Sequence, residues 1–259
     1  DDPNAGGNHR KNMARSLEES LRRLRTDYVD LYWVHAWDPM TPLEETMRAL
    51  DDMVRAGKIL YVGISDAPAW VVSRANILAD LMGWSAFAGL QIPYSLIERT
   101  PERELLPMAK ALDIAVTPWG ILGGGVLTGK YKTGKPRPKD ARYGSQEEWG
   151  NIYVTERNLR IAEEVERVAK EIGKTASQVA VSWVRQQPHG AVIPILGATK
   201  LAQLKDNLGC LEFSLSGDHL RRLDEASRID LGFPLAFLEQ VRRIVYGNTF
   251  PLIDDHRGA

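Results

Sequence analysis

The sequence predicts an α/β protein built on a parallel sheet. Segments with the pattern of strands alternate with helical segments of ten to fifteen residues along most of the chain, and this alternation favours βαβ units. The length of 259 residues suits one barrel, because barrels routinely take roughly 200–250 residues as a single unit. We therefore interpret residues 1–259 as a single domain. A barrel and a doubly wound sheet both stay open, although the lack of a Gly-x-Gly-x-x-Gly motif after an early strand argues against the second.

The first helix and strand follow from the spacing and type of apolar residues. Apolar side chains from Met13 to Leu24 recur at intervals of four, four and three residues, which predicts an amphipathic helix. Residues 28–35 are rich in aromatic and β-branched side chains, which predicts a strand that ends at His35.

A second helix is predicted from Pro42 to Ala56. Thr41 is placed to cap it, Pro42 suits the first helical position, and Glu44 can reach back to the amide of the cap. Gly57 is placed to end this helix in a left-handed conformation.

The remaining elements repeat the alternation. The predicted strands are residues 59–64, 86–92, 114–117 and 191–195, and the predicted helices are residues 68–82, 100–112, 156–172, 176–187 and 201–208. A long excursion rich in Gly, Pro and Arg fills residues 120–151. Loops of this length are usually functional.

The composition narrows the classes of partner. There are 33 Lys and Arg against 34 Asp and Glu, so the chain has no electrostatic basis for binding nucleic acid or an anionic membrane. We expect a small-molecule partner instead. Cys210 is the only cysteine, which excludes an internal disulfide and favours a reducing compartment, so we predict a cytoplasmic protein. No signal peptide and no run of about 18 apolar residues is evident in the sequence.

The residues with the most reactive or polar side chains stand where the predicted strands end. They are His35, Ser65, Asp66, Gln91 and Trp119, with a Gly197-Ala198-Thr199 turn after the last predicted strand. The carboxyl ends of parallel strands meet at one face of the fold, where ligands bind. An aromatic ring and hydrogen-bonding groups gathered there suit a flat ligand that carries an amide. Each residue alone also has a purely structural interpretation, since a strand-end histidine or tryptophan is usually packed.

Two motifs come close to known catalytic patterns. Residues 124–130 satisfy Gly-x-x-x-x-Gly-Lys, but Tyr131 replaces the Ser or Thr that would hold Mg²⁺, which argues against an NTPase. Residues 63–67 resemble a nucleophile elbow but lack its final glycine, which argues against a serine hydrolase. The five histidines show no spacing typical of metal ligands, so no metal site is predicted.

Six segments carry a resemblance to a known enzyme family. They are residues 30–35 (DLYWVH), 57–66 (GKILYVGISD), 90–99 (LQIPYSLIER), 125–131 (GVLTGKY), 192–199 (VIPILGAT) and 203–207 (QLKDN). Together they resemble the aldo-keto reductases, in particular the branch of bacterial aldehyde reductases and potassium-channel β subunits. The resemblance runs in unbroken order from about residue 11 to residue 213.

The resemblance implies an eight-stranded TIM-type (β/α) barrel that binds NADP(H) without a Rossmann motif and transfers hydride to aldehydes or ketones. In that family, His35 would correspond to the histidine that orients the substrate carbonyl. Ser65, Asp66 and Gln91 fall on positions that contact the nicotinamide carboxamide, and Trp119 falls on the aromatic platform that stacks on the nicotinamide. Position 66 is usually Asn in the family, and Asp cannot donate a hydrogen bond when ionised.

The rest of the implied cofactor site lies in the glycine-rich loop and after the last strand. Gly120, Leu122, Gly124 and Lys130 match the pyrophosphate side, and Gly197, Thr199, Gln203, Asp206 and Asn207 match the adenosine side. A 2′-phosphate requires a cation. Lys130, with Lys200 or Arg142 as helpers, therefore favours NADP over NAD.

The family uses a tetrad of Asp, Tyr, Lys and His, in which Tyr is the general acid. Only His35 is assignable here, because the first clear helix leads directly into the fourth-strand motif. We therefore expect strands four to eight in this sequence, with the first three strands and the Asp, Tyr and Lys outside it, and an inactive isolated segment. The chain also begins with Asp1 rather than Met.

The predicted partner is a small carbonyl compound, and we predict no binding to nucleic acid or to a membrane. Homo-oligomer formation stays open. A non-catalytic NADP-binding regulatory or interaction module is the alternative function.

Overall fold

A parallel sheet of four strands organises the fold. The computed structural model describes residues 2–139, 141–144 and 147–254. The strands are β1 (Val29–Val34), β2 (Ile59–Ser65), β3 (Phe87–Pro93) and β4 (Ala115–Trp119), and they lie in that order in the sheet. Sequential strands are therefore neighbours, with a helix in each connection, as βαβ units require.

Residues 191–195 extend the sheet beyond β4. The N–H of Val116 donates to the carbonyl of Ala191, and the N–H groups of Ile193 and Ile195 donate to Val116 and Pro118. The strand predicted here is present as a single parallel bridge rather than a full strand. Its alternate N–H groups still hydrogen-bond to β4, so this segment occupies the place of a fifth strand.

Ten α-helices lie within the described residues. They are α1 (Arg10–Leu24), α2 (Leu43–Arg55), α3 (Ala69–Met82), α4 (Leu105–Ala111), α5 (Glu147–Tyr153), α6 (Glu156–Glu171), α7 (Ala176–Arg185), α8 (Leu201–Leu208), α9 (Gly217–Ser227) and α10 (Leu235–Tyr246). Short 3-10 segments include residues 100–103 and 123–128. The predicted helix over 100–112 is thus a 3-10 turn followed by the shorter α4. None of the described helices has the length and apolarity needed to cross a membrane.

The ends of α2 show where local sequence signals succeed and fail. Gly57 has φ +71° and ends the helix as predicted. The predicted cap at Thr41 is wrong, because α2 begins after Pro42 without a side-chain cap. The Thr41 hydroxyl donates instead to the carboxylate of Asp38 at 2.6 Å, and a charged acceptor makes the stronger hydrogen bond.

The two faces of the sheet have different environments. On one face Val62, Leu90 and Val116 are fully buried in the apolar core that the helices form. On the other face Leu31 and Tyr61 lie opposite each other in β1 and β2 and are 40% and 62% exposed. Of the predicted site residues, Ser65, Gln91 and Trp119 belong to this second, more open face.

Candidate active site

Three of the predicted site residues lie on adjacent strands at the same edge of the sheet. Ser65 is the last residue of β2 and pairs in register with Gln91 of β3. Gln91 pairs in turn with Thr117, and Pro93 pairs with Trp119 at the end of β4. Because side chains alternate along a strand, Ser65, Gln91 and Trp119 share one face. The structure therefore places these three residues together at the carboxyl edge.

Asp66 connects the end of β2 to the end of β4. Its backbone N–H donates to the carbonyl of Gln91 at 3.1 Å, and its φ of +48° is in the left-handed region, which Asp and Asn tolerate better than most residues. The indole N–H of Trp119 donates to Asp66 Oδ1 at 3.3 Å. Since Trp119 is 36% exposed, its ring is anchored at one edge and still accessible to a ligand.

Ser65 carries a hydroxyl with unused hydrogen-bonding capacity. The residue is 2% exposed, and its Oγ has no hydrogen-bond partner among the described residues. Buried polar groups are nearly always paired, so an exception often marks a group that serves a ligand. No described histidine bonds this hydroxyl, which leaves the nucleophile-elbow interpretation without a general base.

Trp33 is a residue of this face that sequence reasoning missed. A Cβ added at Gly63 would lie 2.5 Å from the Trp33 ring, and one added at Gly89 would lie 2.8 Å from it. The two glycines therefore let the indole lie flat across β2 and β3, beside the residues of the candidate site. Glycines inside strands signal such close approaches, and that signal was present in the sequence.

The glycine-rich segment after β4 has a backbone that only glycine adopts easily. Gly123, Gly124 and Gly125 have φ values of +55°, +63° and +96°. A Cβ at Gly124 would lie 2.1 Å from the Tyr143 hydroxyl, and one at Gly125 would lie 2.4 Å from Lys130 Cε. The glycines thus hold the exposed Lys130 close to the loop backbone. The next described α-helix is α5, so the segment does not open a helix as an NTPase phosphate loop does.

The residues predicted for the adenosine side divide into two groups around α8. Gln203 Oε1 accepts hydrogen bonds from the backbone N–H of Thr199 at 2.9 Å and from its hydroxyl at 3.1 Å. The carboxylate of Asp206 instead accepts from the hydroxyl of Thr175 at the start of α7, and Asn207 is buried. Thr199 and Gln203 are brought together at an exposed turn, whereas Asp206 and Asn207 face the protein.

His35 directly follows β1 and is exposed. Trp37, two residues later, packs edge-on against Trp70 with a distance of 5.7 Å between ring centres. This packing contact gives Trp37 a structural role. Gly197 is likewise exposed, with open space where a side chain would extend.

A cleft of about 480 Å³ opens beside the turn that follows His35. Asp38 lies in its wall, and hydrogen bonds from the Thr41 hydroxyl and the Asn8 N–H lower the pKa of this carboxyl. The cleft therefore has a fixed negative charge at the end of β1. Among the described residues no cluster of three His, Cys, Asp or Glu side chains is placed to hold a metal ion.

Comparisons with known proteins show the family of the chain. The model of the aldo/keto reductase family matches residues 1–228. The chain belongs to the aldo/keto reductase family. Members typically use nicotinamide cofactors, and the α/β fold with its parallel sheet is consistent with the TIM-type fold of aldo/keto reductases. Helix α10 lies beyond the matched residues.

Several curated oxidoreductases are similar in sequence over most of the chain. A norsolorinic acid reductase of Aspergillus flavus is 35% identical over 237 residues, which are 91% of this chain and 58% of that protein. The putative aryl-alcohol dehydrogenase AAD10 of Saccharomyces cerevisiae is 36% identical over 90% of this chain and 80% of its own length. An aryl-alcohol dehydrogenase of Pestalotiopsis microspora is 36% identical over 91% of this chain and 59% of its own length. These relatives support an oxidoreductase.

Proposed function

We propose that this protein is an NADP-dependent oxidoreductase that interconverts aromatic aldehydes or ketones and the corresponding alcohols. Its membership in the aldo/keto reductase family supports the reaction class. The names of the aryl-alcohol dehydrogenases and norsolorinic acid reductases support an aromatic substrate. The chain spans 58% of the length of the norsolorinic acid reductase that it matches, so the activity of the whole relative is carried over only as part of this proposal.

One observation carries the assignment of the cofactor site. The unpartnered Oγ of Ser65, the side chain of Gln91 and the anchored ring of Trp119 lie at one edge of the sheet. A hydroxyl and an amide beside an accessible indole match a flat aromatic ring with a carboxamide substituent. The absence of a side chain at Gly125 lets Lys130 lie against the loop backbone, which puts a cation beside the glycine-rich loop, and a cation there suits phosphate groups. The residues present therefore fit a nicotinamide dinucleotide.

Bound in this site, the cofactor would supply or accept the hydride. The indole of Trp119 would cover one face of the nicotinamide ring, while Ser65 and Gln91 would hold its amide. Gly120, Leu122, Gly124 and Lys130 would lie along the pyrophosphate, and Gly197, Thr199 and Gln203 would lie on the adenosine side, with Asp206 and Asn207 behind them facing the protein. His35 would orient the substrate carbonyl.

The finer assignment of the fold belongs to the same proposal. We assign β1 to β4 and residues 191–195 to strands four to eight of an eight-stranded barrel, and we assign proton donation to a tyrosine outside these 259 residues. The isolated chain is therefore expected to bind NADPH with negligible turnover.

The experiment is a calorimetric titration of the purified protein with NADPH. We expect Trp119→Leu to weaken NADPH binding about fivefold, because the stacking contribution of an aromatic ring is lost. Trp70→Leu is the matched control, since Trp70 is exposed on α3 and its loss should leave NADPH affinity unchanged. Absence of NADPH binding would overturn the proposal.

Turnover is then measured as NADPH oxidation with a panel of aromatic aldehydes. The natural protein that contains this chain should oxidise NADPH with at least one of them. Tight NADPH binding without turnover in that protein would favour a non-catalytic NADP-binding module.

A further inference from the structure

The carboxylate of Asp66 is the feature of the candidate site that a general description of the cofactor pocket leaves unexplained. We propose that Asp66 positions the Trp119 indole and, by its charge, makes the site favour the oxidised, cationic nicotinamide over the reduced, neutral one. The inference rests on the proposed nicotinamide site. It adds a binding preference for one oxidation state of the cofactor.

The positioning role follows from two fixed points. The backbone of Asp66 is held by the hydrogen bond from its N–H to the carbonyl of Gln91 and by its left-handed conformation. Trp119 is held through its own carbonyl, which accepts a hydrogen bond from the N–H of Tyr94 at 3.2 Å. The bond from the indole N–H to Asp66 Oδ1 joins these two held backbones across β3. It therefore favours one rotamer of the indole over the others that its side-chain torsions allow.

The electrostatic role follows from the absence of a compensating cation. Within the described chain, the indole N–H of Trp119 is the one side-chain donor to the Asp66 carboxylate, and no ion pair neutralises it. A ligand ring stacked on the indole would lie beside this charge. The oxidised nicotinamide ring carries one positive charge and the reduced ring carries none, so Coulomb attraction stabilises only the oxidised form.

The hydride-transfer reaction determines which of its two sides this preference stabilises. When an alcohol is oxidised, a hydride passes from the carbinol carbon to the nicotinamide ring, the hydroxyl proton is released, and the ring loses its positive charge. A site that binds the cationic ring better stabilises the complex that precedes alcohol oxidation and that equally follows carbonyl reduction. On the enzyme, the equilibrium of hydride transfer therefore shifts toward the oxidised cofactor and the alcohol.

The test compares the dissociation constants of NADP⁺ and NADPH, measured by calorimetry on the wild type and on Asp66→Asn. Asn retains a side-chain oxygen for the indole and tolerates the left-handed conformation, so the substitution removes the charge and keeps the geometry. We expect Asp66→Asn to weaken NADP⁺ binding relative to NADPH binding by about fivefold, the size of effect that one partly screened unit charge produces.

Asp113→Asn is the matched control for this charge. Asp113 is also exposed and left-handed, with φ +52°, but it precedes β4 and so lies at the opposite edge of the sheet. Its substitution should leave both dissociation constants unchanged. An equal ratio of the two constants in the wild type and in Asp66→Asn, with both cofactors still bound, would overturn the electrostatic inference and leave the proposed function intact.

Trp119→Phe tests the positioning role separately. Phe keeps a ring and leaves the charge of Asp66 in place, but it cannot donate the hydrogen bond. We expect both dissociation constants to rise by a similar factor while their ratio stays within about twofold, because a less restricted ring costs binding entropy for either oxidation state. Unchanged affinity for both cofactors would overturn the positioning role, whereas loss of all binding in the wild type would overturn the proposed function itself.

Discussion

The candidate site at the carboxyl edge of the sheet, formed by Ser65, Asp66, Gln91 and Trp119 and here called the carboxyl-edge site, and a partly buried ion-pair cluster use polar residues in opposite ways. The ion-pair cluster consists of Tyr94, Arg99, Glu102, Trp183 and Asp224. Arg99 donates to Glu102 through Nε at 2.7 Å and through Nη2 at 3.0 Å, and the Tyr94 hydroxyl donates to Glu102 at 2.7 Å. In the carboxyl-edge site, by contrast, Ser65 Oγ has no partner among the described residues.

In the ion-pair cluster the polar groups are bonded to one another and contribute to stability. In the carboxyl-edge site some hydrogen-bonding groups stay unpaired and could bond a ligand. The ion-pair cluster joins the loop after β3 to α7 and α9, and burial raises the pKa of both Tyr94 and Asp224. Such groups are costly to bury and are tolerated because each is bonded. The carboxyl-edge site leaves hydrogen-bonding groups unused, as expected where a ligand completes the bonding. Substitutions should therefore affect stability in the first region and binding in the second.

The largest expected effect is the loss of the carboxylate from the ion-pair cluster. Glu102→Gln keeps the shape of the side chain and removes the charge that pairs with Arg99, and both residues are nearly buried, at 13% and 12% exposed. We expect the free energy of unfolding to fall by about 2–3 kcal/mol, because Arg99 loses its two-bond carboxylate partner in a poorly solvated place and keeps only the longer ion pair to Asp224 Oδ1 at 3.4 Å. Equilibrium unfolding in urea measures the change.

Glu156→Gln is the control for that substitution. Glu156 pairs with Arg160 on the surface, where the side chains are 72% and 69% exposed, so its loss should change stability by less than about 0.5 kcal/mol. Equal effects of the two substitutions would show that the cluster adds nothing beyond an ordinary surface pair.

Two buried serines, one in each region, compare the two regions more directly. Ser227 Oγ accepts from Arg99 Nη1 at 2.8 Å and donates to the carbonyl of Leu223 at 2.6 Å, so Ser227→Ala should destabilise the protein by about 1–2 kcal/mol. Ser65→Ala removes a hydroxyl that bonds nothing in the described chain. Its effect on stability should be within about 0.5 kcal/mol of zero, while NADPH affinity falls.

Both variants are compared by urea unfolding and by NADPH titration. A loss of stability in Ser65→Ala as large as that in Ser227→Ala would mean that Ser65 has a structural partner after all. Ser65 would then resemble the residues of the ion-pair cluster, and the proposed difference between the two regions would be wrong.

The order of the elements was predictable because hydrophobic period and capping residues act locally. Residues 43–55 and 201–208 form helices at nearly the predicted positions, and Gly57 ends its helix as expected. Thr41 was mispredicted because its hydroxyl had a competing acceptor in Asp38. The segment 191–195 forms only part of a strand, because its pairing depends on the N–H and carbonyl groups that β4 presents at the edge of the sheet.

The positions of Ser65, Gln91 and Trp119 at strand ends were predictable, but the hydrogen bonds of the candidate site were not. The strand ends and the family resemblance located Ser65, Gln91 and Trp119. The hydrogen bond from Trp119 to Asp66 spans 53 positions in the chain, and no local pattern encodes it. The position of Trp33 above Gly63 depends in the same way on the register of two strands.

The smallest expected effect is a pH dependence from His189, which lies beside the ion-pair cluster. His189 is half-buried with its ring edge-on to Tyr94, at 6.2 Å between ring centres, and burial lowers its pKa below the ordinary value of 6.5. The unfolded chain therefore takes up a proton near pH 6.5 that the folded protein takes up only at lower pH. Stability from this residue is present above pH 6.5 and declines as the pH falls below it.

His189→Phe should flatten that decline, because Phe keeps the ring contact and cannot titrate. The urea midpoint, measured at several pH values just below 6.5, reports the slope. Asp224 acts in the opposite direction, since its raised pKa makes the folded protein bind a proton more readily than the unfolded chain as the pH falls toward 3.8. Because Asp224 is present in both proteins, the difference between their slopes isolates His189, and parallel slopes would remove it from the pH response.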